Sequence, residues 1–276
     1  AIKPESIAVL QYTGGTTGIP KAAMLSHANL AANTRQCALW FSAARDGNEP
    51  QKVLSVLPFF HVFSMTVQMN LSITMGDQLV LMRPAPKIDP AALLKTLQDE
   101  KINVFAGVPD LYKKLLEVKD AGGYNLSNLN TCISGAAPLP GQTWNRWKEL
   151  TKVEIVEGYG LSETSPLATA NPLKGKKKLN SIGMPVPLTE VKIANLEFPD
   201  QSVPLKVEGE ICLRGPQVMQ GYWGRPDETD KVMDKDGFFH TGDVGYMDED
   251  GYVFIVDRIK DRVIVNGVKA FHRHIE

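Results

Sequence analysis

The chain has 276 residues, of which 43% are hydrophobic and 22% charged, so it can bury a core and form more than one subdomain. Its formal net charge of −1 provides no overall field that would attract nucleic acid, and we predict no nucleic-acid partner. The three cysteines (Cys37, Cys132 and Cys212) are far apart and odd in number. They argue against a disulfide framework, lack the spacing of a metal site and favour a reduced, cytoplasmic location.

Neither a targeting signal nor a membrane span is visible in the sequence. Residues 1–5 (AIKPE) lack an apolar core, and no apolar run reaches the ~20 residues that span a bilayer. The chain starts without Met and opens almost directly into a strand-like stretch. This pattern predicts an excised segment of a longer protein.

A loop rich in Gly and Thr lies between an extended apolar run (residues 7–12) and a helical pattern that starts near His27. Bare backbone N–H groups, Thr hydroxyls and a lysine are the groups that hold a polyphosphate. The loop is not a Walker A motif, because two residues separate Gly18 from Lys21. A flexible surface loop is the alternative. The candidate residues are Thr13, Gly14, Gly15, Thr16, Thr17, Gly18 and Lys21.

Strand-like and helix-like stretches alternate through the first two-thirds of the chain, which favours a largely parallel sheet covered by helices. The apolar spacing predicts a helix over residues 90–99, capped by Asp89, and Pro109 is suited to begin another. The predicted helices cover residues 27–41, 65–74, 90–99, 109–118 and 141–150. The predicted strands cover residues 52–57, 78–82, 103–108, 131–134 and 153–157.

Helical periodicity nearly vanishes after about residue 185, where short strands (190–194, 209–213 and 252–256) alternate with turns. This part predicts a β-rich subdomain, a small barrel or sheet. The fold class is therefore α/β, with a layered βα core followed by a β-rich subdomain. We assign residues 1–186 to the core, 187–257 to the β-rich subdomain and 258–276 to a hinge and the start of a further domain.

Two motifs follow predicted strands of the core, where ligands of open α/β sheets bind. In residues 157–164 (EGYGLSET), Glu163 could hold Mg²⁺ and Tyr159 could stack on a base; a turn capped by Ser162 is the alternative. In residues 134–139 (SGAAPL), small side chains would let a flat ring approach the backbone. A tight packing point between helix and strand is the alternative there.

Two further motifs contain titratable groups. In residues 239–243 (FHTGD), Asp243 in a turn could accept both hydroxyls of a ribose, with Arg258 as an added donor; ordinary turn chemistry is the alternative. In residues 58–61 (PFFH), His61 follows a strand among aromatic residues, and a core histidine is the alternative to a site histidine.

The order of these motifs resembles the adenylate-forming superfamily, which includes acyl-CoA synthetases, luciferases and the adenylation domains of peptide synthetases. The resemblance covers essentially the whole chain. Residues 215–226 (GPQVMQGYWGRP), 236–243 (DGFFHTGD) and 257–261 (DRIKD) are most similar to long-chain fatty-acid–CoA ligases within that superfamily.

The resemblance implies a role for each motif. Thr13–Gly18 and Lys21 would wrap the β- and γ-phosphates of ATP, and Glu163 would ligate Mg²⁺ with help from Thr17. The implied adenine pocket contains Gly135, Ala136, Ala137 and Tyr159, and Gly158 and Gly160 are further cofactor-binding candidates. Thr164 would reach the α-phosphate, Asp243 and Arg258 the ribose, and His61 the acyl carboxylate. Lys260 falls at the hinge about which the C-terminal domain of such enzymes rotates.

The implied reaction has two steps. A fatty carboxylate attacks the α-phosphorus of ATP to give acyl-AMP and pyrophosphate, and the thiol of CoA then displaces AMP. The implied partners are a fatty acid, ATP, Mg²⁺ and CoA. Because fatty acids partition into bilayers, peripheral contact with the inner face of the membrane stays open beside a purely cytoplasmic location.

The sequence also departs from the pattern of the family. The portion that precedes the Gly/Thr loop in the family is absent, and so is the C-terminal lysine required for adenylation. His272 and His274 replace the usual Pro and Glu. We therefore predict that the isolated chain is inactive or weakly active. The alternatives are another carboxylate-activating ligase, for aryl acids or for fatty-acyl-AMP formation, and a non-catalytic nucleotide-binding fragment.

Overall fold

The computed structural model describes residues 1–13, 20–43, 45, 47, 49–82, 88–261, 263–265 and 268–270. The α-helices in these ranges are α1 (His27–Ser42), α2 (Leu71–Met75), α3 (Pro90–Asp99), α4 (Pro109–Leu116), α5 (Gly141–Thr151) and α6 (Pro226–Asp230). Ser64–Asn70 forms a π-helix that runs into α2. The 3₁₀ turns are Ala121–Gly123, Ser162–Thr164 and Ile259–Asp261.

The strands in the described part of the chain form four sheets. The first strands along the chain are β1 (Ile7–Thr13), β2 (Lys21–Ser26), β3 (Lys52–Ser55), β4 (Gln78–Leu81), β5 (Val104–Gly107), β6 (Thr131–Ser134), β7 (Ile155–Gly160), β8 (Leu167–Ala170) and β9 (Met184–Pro185). They are followed by β10 (Glu190–Ala194), β11 (Gly209–Arg214), β12 (Phe239–Met247), β13 (Val253–Arg258), β14 (Val263–Val265) and β15 (Val268–Ala270). β14 and β15 pair with each other as a separate two-stranded sheet.

The main sheet has the order β4-β3-β5-β6-β7-β8-β9. Its first five strands are parallel, and β8 and β9 extend it in antiparallel fashion. The prediction of a largely parallel sheet is confirmed. The antiparallel addition arises because the chain turns back directly after β7, through the 3₁₀ turn Ser162–Thr164.

Helices cover both faces of this sheet, as the alternation of side chains along its strands requires. Phe105 packs in one apolar cluster with α3, α4 and α5, whereas its neighbour Ala106 packs in another with α1 and the π-helix. Cys132 and Ile133 divide between the same two clusters. The core is therefore a three-layer α/β structure, and the predicted fold class is confirmed.

The local signals for helix starts are borne out. Asp89 accepts a hydrogen bond from the backbone N–H of Ala91 at 3.0 Å, and α3 covers residues 90–99 as expected. Pro109 occupies the first turn of α4, where its missing N–H costs nothing. Ser26 and Asn29 form a reciprocal cap at the start of α1.

Two local expectations are wrong. The Gly/Thr loop is not followed directly by a helix, because residues 21–26 form β2, which pairs antiparallel with β1 before α1 begins. Asp243 does not lie in a turn, because β12 passes through it. β2 pairs with the preceding strand β1, whereas β12 also depends on contacts that are distant along the chain, such as the hydrogen bond from Tyr159 to Asp243.

The second sheet has the order β10-β11-β12-β13 and is wholly antiparallel. It begins at Glu190, a few residues beyond the last strand of the main sheet. The β-rich character predicted for this part is confirmed as a sheet. The boundaries assigned to the subdomains stay a prediction.

Within the described residues, no helix combines the length and the apolar character needed to cross a bilayer.

Candidate active site

The site lies where the parallel strands of the main sheet end. β3 ends at Ser55 before His61, β6 ends at Ser134 before Gly135, and Glu163 follows β7. The carboxyl ends of parallel strands share one edge, where ligands of open α/β sheets bind. The second sheet adds Asp243 and Arg258 from β12 and β13.

Two adjoining cavities occupy this edge. The first has a volume of about 570 Å³ and is lined by Ala137, Tyr159 and Asp243, among others. The second has a volume of about 400 Å³ and is lined by Lys21 and Glu163, among others. The residues that line both are Ala136, Gly158, Tyr159, Gly160, Leu161 and Arg258. The two cavities are therefore parts of one continuous cleft.

Most of the predicted site residues lie along this cleft. Those that line one cavity or both are Thr13, Lys21, His61, Gly135, Ala136, Ala137, Gly158, Tyr159, Gly160, Glu163, Asp243, Arg258 and Lys260. Thr164 is not among them. Gly14, Gly15, Thr16, Thr17 and Gly18, like His272 and His274, lie outside the described residues.

The carboxylate of Asp243 is held from two sides. Its Oδ2 accepts a hydrogen bond from the hydroxyl of Tyr159 at 2.6 Å, and its Oδ1 pairs with Nε of Arg258 at 2.9 Å. Asp243 and Arg258 are cross-strand partners in β12 and β13, so the register itself brings them together. Tyr159 comes from the main sheet, and the three residues therefore join the two sheets at the first cavity.

Burial dominates the electrostatics of this group. Asp243 is 2% exposed, and burial raises the pKa of its carboxyl, against the opposing effects of Tyr159 and Arg258. The pKa of Tyr159 is raised well above its ordinary value by burial and by the adjacent carboxylate, so the phenol keeps its proton and donates. The cleft thus presents a fixed, partly desolvated carboxylate as a hydrogen-bond acceptor.

Residues without bulky side chains form the wall between the strand ends. A Cβ atom at Gly160 would lie 1.8 Å from the carbonyl oxygen of Pro166, so only glycine fits between β7 and β8 there. At Gly135 a Cβ would meet the carbonyl of Gly158 at 3.3 Å. These glycines therefore let the backbone segments at the wall of the cleft pack closely against one another.

A second polar cluster lies around Tyr222 in the second cavity. The Tyr222 hydroxyl donates to Oε1 of Glu163 at 2.8 Å, and the Lys21 ammonium lies 4.6 Å from the centre of the Tyr222 ring. Lys21 also pairs with Glu228 at 3.0 Å. Tyr222 thus connects the predicted metal carboxylate to the predicted phosphate-binding lysine.

The charges of this cluster are set by its contacts. Ion pairs with Lys231 and then Lys21 lower the pKa of Glu228 to about 2, so it is ionised at neutral pH. Burial, followed by the neighbouring Glu163, raises the pKa of the Tyr222 hydroxyl, which therefore remains a donor. Glu163 is 8% exposed. Its carboxylate is the kind of oxygen ligand that Mg²⁺ prefers.

His61 lies at the mouth of the second cavity, directly before the π-helix. Its Nδ1 accepts a hydrogen bond from the backbone N–H of Phe63 at 3.2 Å, which fixes the ring. Partial desolvation lowers the pKa of the imidazole. The side chain is therefore a neutral ring with Nε2 as its remaining polar atom.

Thr164 is fully buried, and its hydroxyl is engaged within its own turn. It accepts from the N–H of Leu161 at 2.9 Å and contacts the carbonyl of Pro166. In this structure the hydroxyl stabilises the turn that carries Glu163.

Lys260 follows β13 in the 3₁₀ turn Ile259–Asp261 and lines the second cavity. It also lines a third cavity of about 650 Å³, together with Glu163, Tyr222 and His240. The predicted hinge residue therefore lies at the rim shared by two cavities.

Sequence reasoning missed the roles of Tyr222 and Glu228. Tyr222 belongs to the stretch that resembles fatty-acid–CoA ligases, but nothing in that stretch pointed to Glu163. Lys21 and Glu228 are 207 positions apart, beyond the reach of any local pattern.

Comparison with known proteins gives one matching family. Residues 1–223 match the family described as AMP-binding enzyme.

Curated relatives match the chain over essentially its full length. It is 46% identical to a long-chain-fatty-acid–CoA ligase of Bacillus subtilis, with 100% of this chain and 48% of the relative covered. It is 41% identical to a long-chain-fatty-acid–CoA ligase of Escherichia coli O6:H1, with 99% and 48% covered. The chain thus spans about half the length of the curated relatives it matches.

Solved structures share the fold. The crystal structure of ATP-bound MatB from Rhodopseudomonas palustris superposes with a TM-score of 0.89 at 32% identity. The superposition covers 99% of this chain and 52% of that protein.

Proposed function

The chain belongs to the AMP-binding enzyme family, and from that premise we propose that it is the nucleotide-binding core of a fatty-acid–CoA ligase. The observation that carries the proposal is the continuous cleft. It has the Tyr159–Asp243–Arg258 group at one end and the Lys21–Tyr222–Glu163 group at the other. The names of the relatives support long-chain fatty acids as the substrate class.

Each end of the cleft suits a different part of ATP. The carboxylate of Asp243 would accept the ribose hydroxyls, with Arg258 as a donor beside it. The wall formed by Gly135, Gly158 and Gly160, which carry no side chains, would accept the adenine ring. The cation of Lys21, on the far side, would meet the phosphates.

Mg²⁺ fits the donor set at Glu163, because this ion commonly binds one or two carboxylates together with substrate phosphates. When bound, it neutralises charge on the phosphates. Tyr222 holds Oε1 of Glu163 and so orients the carboxylate for this task.

The acyl group would extend along an apolar part of the cleft. The lining side chains there are Phe41, Val62, Phe63, Val67, Ile133 and Leu167. A small fourth cavity continues between α1 and the sheet and shares Phe41, Val67 and Ile133 with it. The neutral ring of His61 at the mouth would lie beside the acyl carboxylate.

The chemistry then requires positioning and charge neutralisation. A carboxylate oxygen of the acid attacks the α-phosphorus, and the bond from the α-phosphorus to the bridging oxygen breaks to release pyrophosphate. The thiol of CoA, after losing its proton, attacks the acyl carbon and AMP leaves. No covalent bond to the protein is needed in either step.

Acyl-CoA formation by the full-length protein that contains this core tests the proposal. We expect acyl-CoA formation from ATP, CoA and C12–C18 acids, and a loss of roughly 10²–10³ in rate for Glu163→Gln. The exposed Glu249→Gln, which removes a surface ion pair with Lys206, is the matched control and should retain the parental rate.

Three results would reject the proposed substrate or role. Turnover of aryl acids without turnover of fatty acids would indicate an aryl-CoA ligase. Acyl-AMP that accumulates without transfer to CoA would indicate a fatty-acyl-AMP ligase. Absence of turnover with every acid, despite ATP binding, would favour the non-catalytic alternative.

A further inference from the structure

One face of the second sheet brings together three side chains that can each bind a metal. Cys212 in β11 lies directly opposite His240 in β12, so their side chains share a face. Glu210 lies two residues before Cys212 on the same strand and therefore also points to that face. Although the cysteines lack metal spacing along the sequence, the strand pairing supplies a donor set that spacing alone could not indicate.

The donor atoms converge. Nδ1 of His240 lies 2.7 Å from Oε2 of Glu210 and 3.4 Å from Sγ of Cys212. One ligand atom from each of the three residues lies within 4.8 Å of the others.

We propose that Glu210, Cys212 and His240 form a binding site for a thiophilic divalent cation of the Zn²⁺ class. One thiolate, one imidazole nitrogen and one carboxylate are all ligands that Zn²⁺ accepts, whereas Mg²⁺ and Ca²⁺ prefer oxygen alone. Three protein ligands leave a fourth position for water, as in open zinc sites.

The geometry needs only a small adjustment. Tetrahedral bonds of about 2.0 Å to N and O and about 2.3 Å to S separate the ligand atoms by roughly 3.3–3.5 Å. The distance from His240 to Cys212 already agrees with this range. The distance from His240 to Glu210 would have to lengthen by roughly half an ångström as the cation replaces the hydrogen bond.

The surroundings orient the ligands as second-shell groups do at metal sites. Nε2 of His240 lies 3.6 Å from Oδ2 of Asp234, which leaves Nδ1 to face the cation. The other carboxylate oxygen of Glu210 accepts the N–H of Gly242 at 2.9 Å. Asp234 is itself held by Lys192 at 2.6 Å.

Charge and proton balance are consistent with a divalent ion. The Glu210 carboxylate and the Cys212 thiolate together offset a charge of +2, while Asp234 and Lys192 offset each other. Cys212 is fully buried. Binding of the cation would release the thiol proton and the proton between His240 and Glu210 to solvent.

A cation can reach the proposed metal site from solvent. Glu210, Asp234 and His240 line the third cavity of about 650 Å³, which reaches the surface beside Lys231. The side chains of Glu210 and His240 are 13% and 15% exposed. A hydrated ion can therefore reach Nδ1 and Oε2 before it contacts the sulfur.

A titration of the 276-residue chain with Co²⁺, a spectroscopic substitute for Zn²⁺, tests the site. We expect one equivalent to produce tetrahedral d–d absorption and a thiolate-to-cobalt charge-transfer band, which Zn²⁺ then removes. Cys212→Ala should abolish the charge-transfer band, and Asp234→Asn should weaken binding about 10–100-fold.

Cys37→Ala is the matched control, because Cys37 is equally buried but lies on α1 in the apolar core. It should bind Co²⁺ as the parent chain does. Absence of the charge-transfer band in the parent chain, or its persistence in Cys212→Ala, would overturn the proposal. The first result requires no variant, so it holds even if a substitution impairs folding.

Discussion

At the scale of single residues, the carboxylate of Asp243 depends on donors from two different sheets. Tyr159 reaches it across the cleft, and Arg258 reaches it across the ladder of β12 and β13. A carboxylate that is 2% exposed is retained only where such donors offset the loss of water. Its geometry is therefore fixed before a ligand arrives.

We predict that Asp243→Asn weakens the binding of AMP roughly 10–100-fold, because hydrogen bonds to a charged group contribute about 1.5–3 kcal/mol. The amide keeps the shape of the side chain but loses the charge that pairs with Arg258. Isothermal titration calorimetry with AMP measures the change, and Glu249→Gln serves as the exposed acidic control. Unchanged affinity in Asp243→Asn would remove this carboxylate from the ribose role.

Tyr222 contacts Glu163 through its hydroxyl and Lys21 through its ring, and one substitution can remove the first contact alone. Tyr222→Phe deletes the hydroxyl that binds Glu163 but keeps the ring beneath Lys21. Because groups that orient a metal ligand typically contribute 10–100-fold in affinity, we expect the Mg²⁺ concentration for half-maximal ATP binding to rise about 10-fold.

Tyr246→Phe is the matched control for this experiment, since the Tyr246 ring stacks on Phe254 in the second sheet. It should leave the Mg²⁺ dependence unaltered. Equal behaviour of the two variants would contradict an orienting role for the Tyr222 hydroxyl.

The sequence identifies the polar residues of the cleft better than their partners. Asp243, Arg258 and Glu163 stand in ordered motifs, which is why resemblance finds them. Tyr159 was predicted to stack on a base, yet its hydroxyl also bonds a carboxylate 84 positions away. Such a contact depends on how two sheets meet, and no local pattern contains that information.

At the scale of elements, the accuracy of prediction follows the range of the interactions that stabilise each element. α3 begins at a capping Asp89 and a first-turn proline, and its bounds agree with the prediction from apolar spacing. β6 is a short buried apolar run, and its bounds also agree. Each of these signals lies within a few residues of the element.

The missed strands lack local signals of this kind. β2 is specified by its pairing with β1, and the small side chains of Ala22 and Ala23 conceal its buried face. β12 contains His, Thr, Gly and Asp, which resemble a turn. Its polar groups are satisfied by Glu210, Tyr159 and Arg258 instead, all contributed by other strands.

The junction of β7 and β8 offers a prediction at this scale. Gly160→Ala places a Cβ 1.8 Å from the carbonyl oxygen of Pro166, so the strands must separate. We expect a loss in the free energy of unfolding at the upper end of the roughly 1–3 kcal/mol that overpacking costs. AMP affinity should fall with it, because Gly160 lines both cavities.

Gly122→Ala is the control, since a Cβ there meets no atom within 4 Å. Thermal unfolding followed by circular dichroism compares the two variants. Equal melting temperatures for Gly160→Ala and the parent chain would contradict the close packing of these strands.

At the scale of the whole molecule, the site is a junction. The main sheet supplies Tyr159 and, in the turn after β7, Glu163; the second sheet supplies Asp243 and Arg258, and β2 supplies Lys21. Pairs such as Lys21 with Glu228 connect elements from opposite ends of the chain. A ligand that fills the cleft would therefore bridge all three and should stabilise them together.

A calorimetric titration of the 276-residue chain with a non-hydrolysable analogue of a long-chain fatty acyl-AMP tests the central claim most directly. The account predicts one site per chain, competition by AMP and a rise in thermal stability. At 100 times Kd the stabilisation should be about 2.7 kcal/mol. Absence of binding by the folded parent chain, or binding that AMP does not compete with, would contradict it.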